Sequence, residues 1–219
     1  MKIALMNEFS QAAKNALVLE QLNEVASGLG HSVFNVGMSD DNDHRLNYIH
    51  LGIMAALLLN AKAVDFVVAG CGTGQGALMS LNAYPGVACG YCIDPADAYL
   101  FAQINNGNAL SLPFAKGFGW GAELNIRYIF EKAFSGPKGL GYPPERRESQ
   151  TANAGILHSV KEATTKPLLA GLQALDPELL KTALAGPRFQ ACFFAHCQDQ
   201  EIAQWVKSHI EQTTYDTPQ

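Results

Sequence analysis

Charge is scarce in this chain. Asp, Glu, Lys and Arg together make up only 16% of its 219 residues, and acids outnumber bases 20 to 15. A net charge of −5 offers no basic surface on which phosphate contacts and counterion release could hold a nucleic acid, so no nucleic-acid partner is expected. Long apolar runs are missing as well. The longest, Ile53 to Leu59, falls far short of the roughly 20 residues that cross a bilayer, and no membrane partner is expected. The opening MKIALMNEFS has too short an apolar run for a secretory leader. Cysteine is sparse and odd in number. Five at irregular spacing do not make a disulfide framework, and a reducing cytoplasm is the simplest setting. What remains is an ordinary globular composition, 48% apolar, with a small polar metabolite as the expected partner.

The first two thirds alternate short apolar runs with amphipathic ones, the pattern of βαβ units feeding a parallel sheet. Strands are expected at 2–6, 31–37, 63–70, 87–93 and 108–112. Helices are expected at 11–28, from Asp43 as N-cap to about Asn60, from Gln75 to Asn82, from Pro95 onward with Asp94 as N-cap, and from Gly121 to Phe134. The glycines, prolines and charges of SGPKGLGYPPERRESQ (135–150) read as a loop or linker. Beyond it, Asp176 and Pro177 open a helix that Gly186-Pro187 ends, RFQACFFAHC is of undecided type, and 199–212 forms a last amphipathic helix. The expected fold is a three-layer α/β/α, Rossmann-like domain over residues 1–150 with a five-stranded, mainly parallel sheet. A largely helical extension over 151–219 follows.

The third strand ends in VVAGCGTGQG, residues 67–76. In an open parallel sheet, ligands bind beyond the carboxyl ends of the strands, where the next helix also presents unpaired N–H groups. Cys71 stands beside that positive helix end, which favours a thiolate able to act as base or nucleophile. Two other readings stay open here. The glycines can form a plain strand-to-helix turn around a small buried cysteine. GTGQGA (72–77), with Asp94 twenty residues beyond Gly74, also fits a dinucleotide fingerprint, although two βα units precede it and Asp94 already serves as a helix cap.

Three blocks carry a resemblance: Cys71-Gly72-Thr73-Gly74-Gln75-Gly76 after a strand, NYIH at 47–50, and QINNGN at 103–108. Together they resemble the C-G-T-G-x-G, D-Y-P-H and Q-H-N-D-x-N motifs of the bacterial ribose-5-phosphate isomerase B and galactose-6-phosphate isomerase family, over about residues 1–150. The resemblance implies an aldose–ketose isomerase with no cofactor and no metal, acting on a sugar or sugar phosphate through an enediolate. It also implies a homodimer whose sites are completed across subunits. Cys71 would be the base, Thr73 would assist ring opening, and Asn105 with the loop amides would stabilise the enediolate oxygen. Glu8, Tyr48, His50, Gly72, Gly74, Gly76, Asn108, Arg146 and Arg147 would contact the substrate. Isomerisation needs one base near neutral pKa and preorganised donors, which fits the residue types independently.

The departures from the family pattern are specific. Phe9 and Ile104 stand where the family has histidines, and Glu8 stands where it has Asp. Arg146 and Arg147 are adjacent, so on a helix they diverge by about 100° and cannot both grip one phosphate. The isomerase chemistry is thus better supported than the phosphate.

Other features read structurally. CGYC (89–92) is formally C-x-x-C, but i and i+3 on a strand face opposite sides. DDNDH (40–44) lacks the ligand spacing of a calcium loop and reads as a capping loop. His50 fits either the core boundary or the sugar site. His196-Cys197 and the Trp205 stripe of the last helix read as packing.

Overall fold

The computed structural model describes residues 1–134 and 136–215, with nothing on the side chains of 212–215. Five βα units run in order: β1 (Lys2–Asn7), α1 (Asn15–Gly28), β2 (Ser32–Asn35), α2 (Tyr48–Asn60), β3 (Phe66–Cys71), α3 (Gln75–Asn82), β4 (Cys89–Tyr91), α4 (Pro95–Leu100), β5 (Ala109–Pro113) and α5 (Ala122–Phe134). The sheet order is β2-β1-β3-β5-β4, and every pairing is parallel. Alternate strand residues feed two cores, because side chains alternate across a pleated sheet. Ala4, Met6, Val67, Ala69 and Cys71 face α2 and α3, while Ile3, Leu5, Phe66 and Val68 face α1 and α5.

Some boundaries differ from expectation for local reasons. The first helix begins with a 3-10 turn, Phe9–Lys14, before α1. Buried amides pin its start: Asn15 donates to Asn7 Oδ1 at 3.2 Å, and Asn35 donates to Asn15 Oδ1 at 2.8 Å. α2 is capped by Asn47, not Asp43. The Asn47 side chain accepts from the N–H groups of Ile49 and His50, whereas Asp43 is drawn away by Ser39 and Arg188. Asp94 does cap α4, with Pro95 first, and that helix continues as a π turn, Phe101–Asn105.

The extension is helical. After a 3-10 turn at Pro144–Arg146 come α6 (Arg147–Thr164), α7 (Leu168–Leu172), α8 (Pro177–Leu184), α9 (Pro187–His196) and α10 (Gln200–Tyr215). The expected 135–150 linker therefore stops at Arg147, where glycine and proline have run out; its first residue, Ser135, lies outside the described residues. RFQACFFAHC is helical: Pro187 opens it, and Phe189 and Phe193, one turn apart, stack with centroids 5.7 Å apart. Gly186-Pro187 thus ends one helix and begins the next.

α2 explains where the extension docks. Ten of its thirteen residues are buried, and a helix apolar all round needs cover on both sides. The sheet covers one side; Leu180, Ala183, Leu184, Phe189, Phe193 and Val206 cover the other and join the same core. α9 also grips the loop leading into α2. Arg188 forms a bidentate pair with Asp43, at 2.6 and 3.3 Å, and donates to the Gly37 carbonyl at 2.6 Å. His44 Nε2 lies 3.0 Å from the Thr182 carbonyl. α6 is different, with no buried residue.

Candidate active site

The order β2-β1-β3 reverses the direction of winding between β1 and β3, and the carboxyl ends of such a strand pair open a crevice. Asn7 pairs with Gly70 in register, so the next residues, Glu8 and Cys71, flank that opening. The Glu8 N–H donates to the Gly70 carbonyl at 3.4 Å. Glu8 is 3% exposed, and its carboxylate accepts from both the N–H (3.1 Å) and the hydroxyl of Ser10. Cys71 closes β3 at 5% exposure.

The glycine loop turns tightly after it. Gly74 holds φ +75°, a left-handed conformation, and a Cβ there would lie 2.7 Å from the Tyr91 ring and 3.0 Å from the backbone of Leu112 and Pro113. Its carbonyl accepts from the buried Ser111 hydroxyl at 2.6 Å. Thr73 keeps its side chain exposed; its Oγ1 accepts from the Gln75 N–H at 3.3 Å, and its carbonyl accepts from the Tyr91 hydroxyl at 3.1 Å. A Cβ on Gly72 would stand 3.6 Å from Gln11 Nε2 and 3.9 Å from Ser10 Oγ, so the 3-10 turn faces the loop with polar groups. The Tyr48 ring lies against Gly76, where a Cβ would meet it at 3.0 Å. His50 is buried, and its Nδ1 accepts from the Asn47 N–H at 2.9 Å. Burial, aided by the nearby His44 charge, lowers its pKa. The neutral ring therefore carries its proton on Nε2 and acts as the second half of the α2 cap.

The remaining predicted residues are elsewhere. Asn105 ends the π turn that precedes β5 and is exposed. Since Ala109 pairs with Val67 and Pro113 with Cys71, the sheet separates this end from the crevice by about 13 Å, at ~3.3 Å per residue. Asn105 does not meet Cys71 within one chain. Arg146 and Arg147 lie with Asn105. Gly141 N–H donates to the Gln103 carbonyl at 3.0 Å, and a Cβ on Gly141 would come within 2.5 Å of Arg147 Cα. Asn108 is occupied at the same end: it accepts from the Ala88 N–H and donates to the Gly86 carbonyl, both at 2.8 Å, tying β4 to β5.

The family model for ribose/galactose isomerase matches residues 3–133. The chain belongs to the ribose/galactose isomerase family. A second family model, described as ribose-5-phosphate isomerase, matches residues 163–208 of the extension. The isomerase is 68% identical to the crystal structure of a ribose-5-phosphate isomerase from Vibrio parahaemolyticus, with a TM-score of 0.94 over 96% of this chain and 99% of that one. It is 51% identical to a 4-deoxy-L-threo-5-hexosulose-uronate ketol-isomerase complexed with a tartrate, again with a TM-score of 0.94, over 96% of this chain and 100% of that one. The type B ribose 5-phosphate isomerase of Trypanosoma cruzi, 18% identical with a TM-score of 0.63 over 74% of this chain and 99% of that one, shares the fold. A comparison with curated proteins finds no match. The isomerase is thus a sugar isomerase, an intramolecular oxidoreductase, and a binding module without catalysis is not favoured.

Two cysteine motifs of the isomerase are structural. Cys89 and Cys92 point into opposite cores. Burial pushes both thiols up to about 12, against the Lys161 charge at Cys89 and reinforced by Asp97 and Asp94 at Cys92. Cys197 caps α9, and the His196 ring packs edge-on to Phe34 at 4.8 Å. In the DDNDH loop, Asp43 is held by Arg188, and among the described residues no group of three His, Cys, Asp or Glu is arranged to hold a metal.

Sequence reasoning missed one cation at the crevice. The Arg45 guanidinium lies over the Phe9 ring, 3.8 Å from its centre. In the sequence Phe9 signals only a lost histidine, and no periodicity marks an arginine in an irregular loop.

Proposed function

We propose that the isomerase interconverts the aldose and ketose forms of an acidic sugar, with Cys71 moving the proton between adjacent carbons. The Cys71 thiolate removes the proton beside the carbonyl, the electron pair forms an enediolate, and the proton returns to the neighbouring carbon. No net redox change results. Amides of the Gly72–Gly76 loop and the first turn of α3 stabilise the enediolate oxygen, a task for preorganised N–H donors. Thr73 and Glu8 exchange protons with the sugar hydroxyls, while Tyr48 and His50 wall the site. The observation that carries this reading is the position of Cys71 at the switch point, flanked by Glu8 and followed by the glycine turn.

Two copies complete each site in this proposal. Asn105, Arg146 and Arg147 come from the second copy, because their own crevice lies across the sheet. The exposed apolar residues Ile156, Leu157 and Val160 of α6 support a homodimer, since a helix with such a stripe ordinarily packs on something. Residues 1–150 act as the isomerase domain, and 151–219 as an extension that braces α2. No helix among the described residues is long and apolar enough to cross a membrane, and five free cysteines support a reducing, cytoplasmic setting.

The substrate's charge is read as a carboxylate. Phe9 and Ile104 remove two donors from a phosphate site, each lost charged hydrogen bond costing roughly 1–3 kcal/mol, and a relative 51% identical over nearly the whole chain is named for a uronate. Ribose 5-phosphate, galactose 6-phosphate and 4-deoxy-L-threo-5-hexosulose uronate are compared in deuterated water, with mass spectrometry reading label at C1 or C2. Faster exchange into the uronate supports the proposal. Faster exchange into ribose 5-phosphate returns the substrate to the sugar phosphates.

A further inference from the structure

We infer that Arg45 selects the substrate by holding its carboxylate at the mouth of the crevice. This rests on the acidic-sugar reading above and assigns the group that recognises the acid. Residues 45–48 bridge the two sides of the site. Phe9, next to Glu8 on the β1 side, donates its N–H to the Leu46 carbonyl at 2.8 Å, and Tyr48 reaches Gly76 on the β3 side. Arg45 therefore stands beside the residue that replaces the expected histidine.

The guanidinium is stacked and available. Its carbon lies 3.8 Å from the Phe9 centroid, which engages a flat face and leaves the N–H edge free for an in-plane, two-point contact. A carboxylate presents two coplanar oxygens to such an edge. Arg45 forms no ion pair among the described residues. Of the acids on either side, Asp43 pairs with Arg188 and Glu8 accepts from Ser10. The loop that presents Arg45 is also anchored, because Arg188 and the Thr182 carbonyl fix Asp43 and His44 immediately before it.

The test compares Arg45→Ala and Arg45→Lys with wild type on 4-deoxy-L-threo-5-hexosulose uronate, with tartrate and its neutral counterpart threitol as inhibitors. Arg45 is exposed, so both variants are expected to fold, which thermal melting checks. Arg45→Ala should raise KM at least tenfold with kcat within a few-fold, and should weaken tartrate inhibition while leaving threitol unchanged. Arg45→Lys should recover only part of the loss, since a point charge lacks the fork. Unchanged KM and unchanged tartrate inhibition in Arg45→Ala would overturn the inference. If wild type does not turn over the uronate at all, the acidic-sugar reading fails instead; tartrate and threitol binding by calorimetry still decides whether Arg45 holds a carboxylate.

Discussion

Cys71 and Asn105 stand at opposite ends of one parallel sheet, the first closing β3 and the second preceding β5. If both serve the same reaction, they do so from different copies. Cys71→Ala and Asn105→Ala should each lose on the order of a hundredfold or more in turnover. Mixing the two after unfolding and refolding should restore roughly a quarter of wild-type activity. Random pairing makes half the dimers mixed, and each mixed dimer has one intact site. No recovery, with dimer exchange shown by native mass spectrometry, would return Asn105 to a structural role.

The glycine loop separates backbone strain from ring contact. Gly74→Ala places a Cβ against Tyr91 and the β5 backbone at φ +75°, so stability should fall by about 1–3 kcal/mol. Gly76→Ala first meets the half-exposed Tyr48 ring, which can swing aside, so its melting temperature should stay near wild type while KM rises. Equal destabilisation in the two variants would refute this account of the turn.

Acid should weaken the fold in two stages. The His50 pKa is lowered in the folded state, mainly by burial and then by the His44 charge. Its share of stability is therefore present above the unfolded value near 6.5 and is lost as pH falls below it. Asp43 follows. Burial raises its pKa, but the Arg188 guanidinium and the Ser39 donors outweigh that and hold it well below the usual carboxylate range. Its share is complete above about pH 4 and drains away at lower pH. Melting curves from pH 3 to 7 should show His50→Gln flattening the upper step and Asp43→Asn the lower. With Arg188 partly exposed, the Asp43 step is on the order of 1 kcal/mol. An unchanged acid limb in both variants would contradict the assignment.

The C-x-x-C pair should be inert. Cys89 and Cys92 are buried on opposite faces with thiols pushed up to about 12, and only a thiolate alkylates readily. Iodoacetamide at pH 8, followed by peptide mapping, should leave both unmodified in the folded protein. A Cys89–Cys92 disulfide after mild oxidation would contradict this.

What could be read from the sequence was local. Gly74 and Asp94-Pro95 announce a turn and a capped helix within a few residues, and both stand where expected. Asn47 and Asp43 are equally good caps by residue type, and the pull of Ser39 and of Arg188, the latter 145 residues along the chain, decides between them. The separation of Asn105 from Cys71 within one chain is legible as well. A residue just before a parallel strand lies at the end opposite to one just after its neighbour, so QINNGN and CGTGQG could not share a crevice in one chain. Arg45 carries no such signal, because its meaning depends on Phe9 arriving beneath it from the 3-10 turn after β1.

The most direct measurement is solvent-proton exchange by wild type and Cys71→Ala, with whichever sugar turns over, in deuterated water. The variant should bind the sugar within a few-fold of wild type, yet incorporate no deuterium at C1 or C2 over many wild-type turnover times. Deuterium incorporation at the wild-type rate by Cys71→Ala would contradict the account and pass the role of base to another group, with Glu8 the next to test.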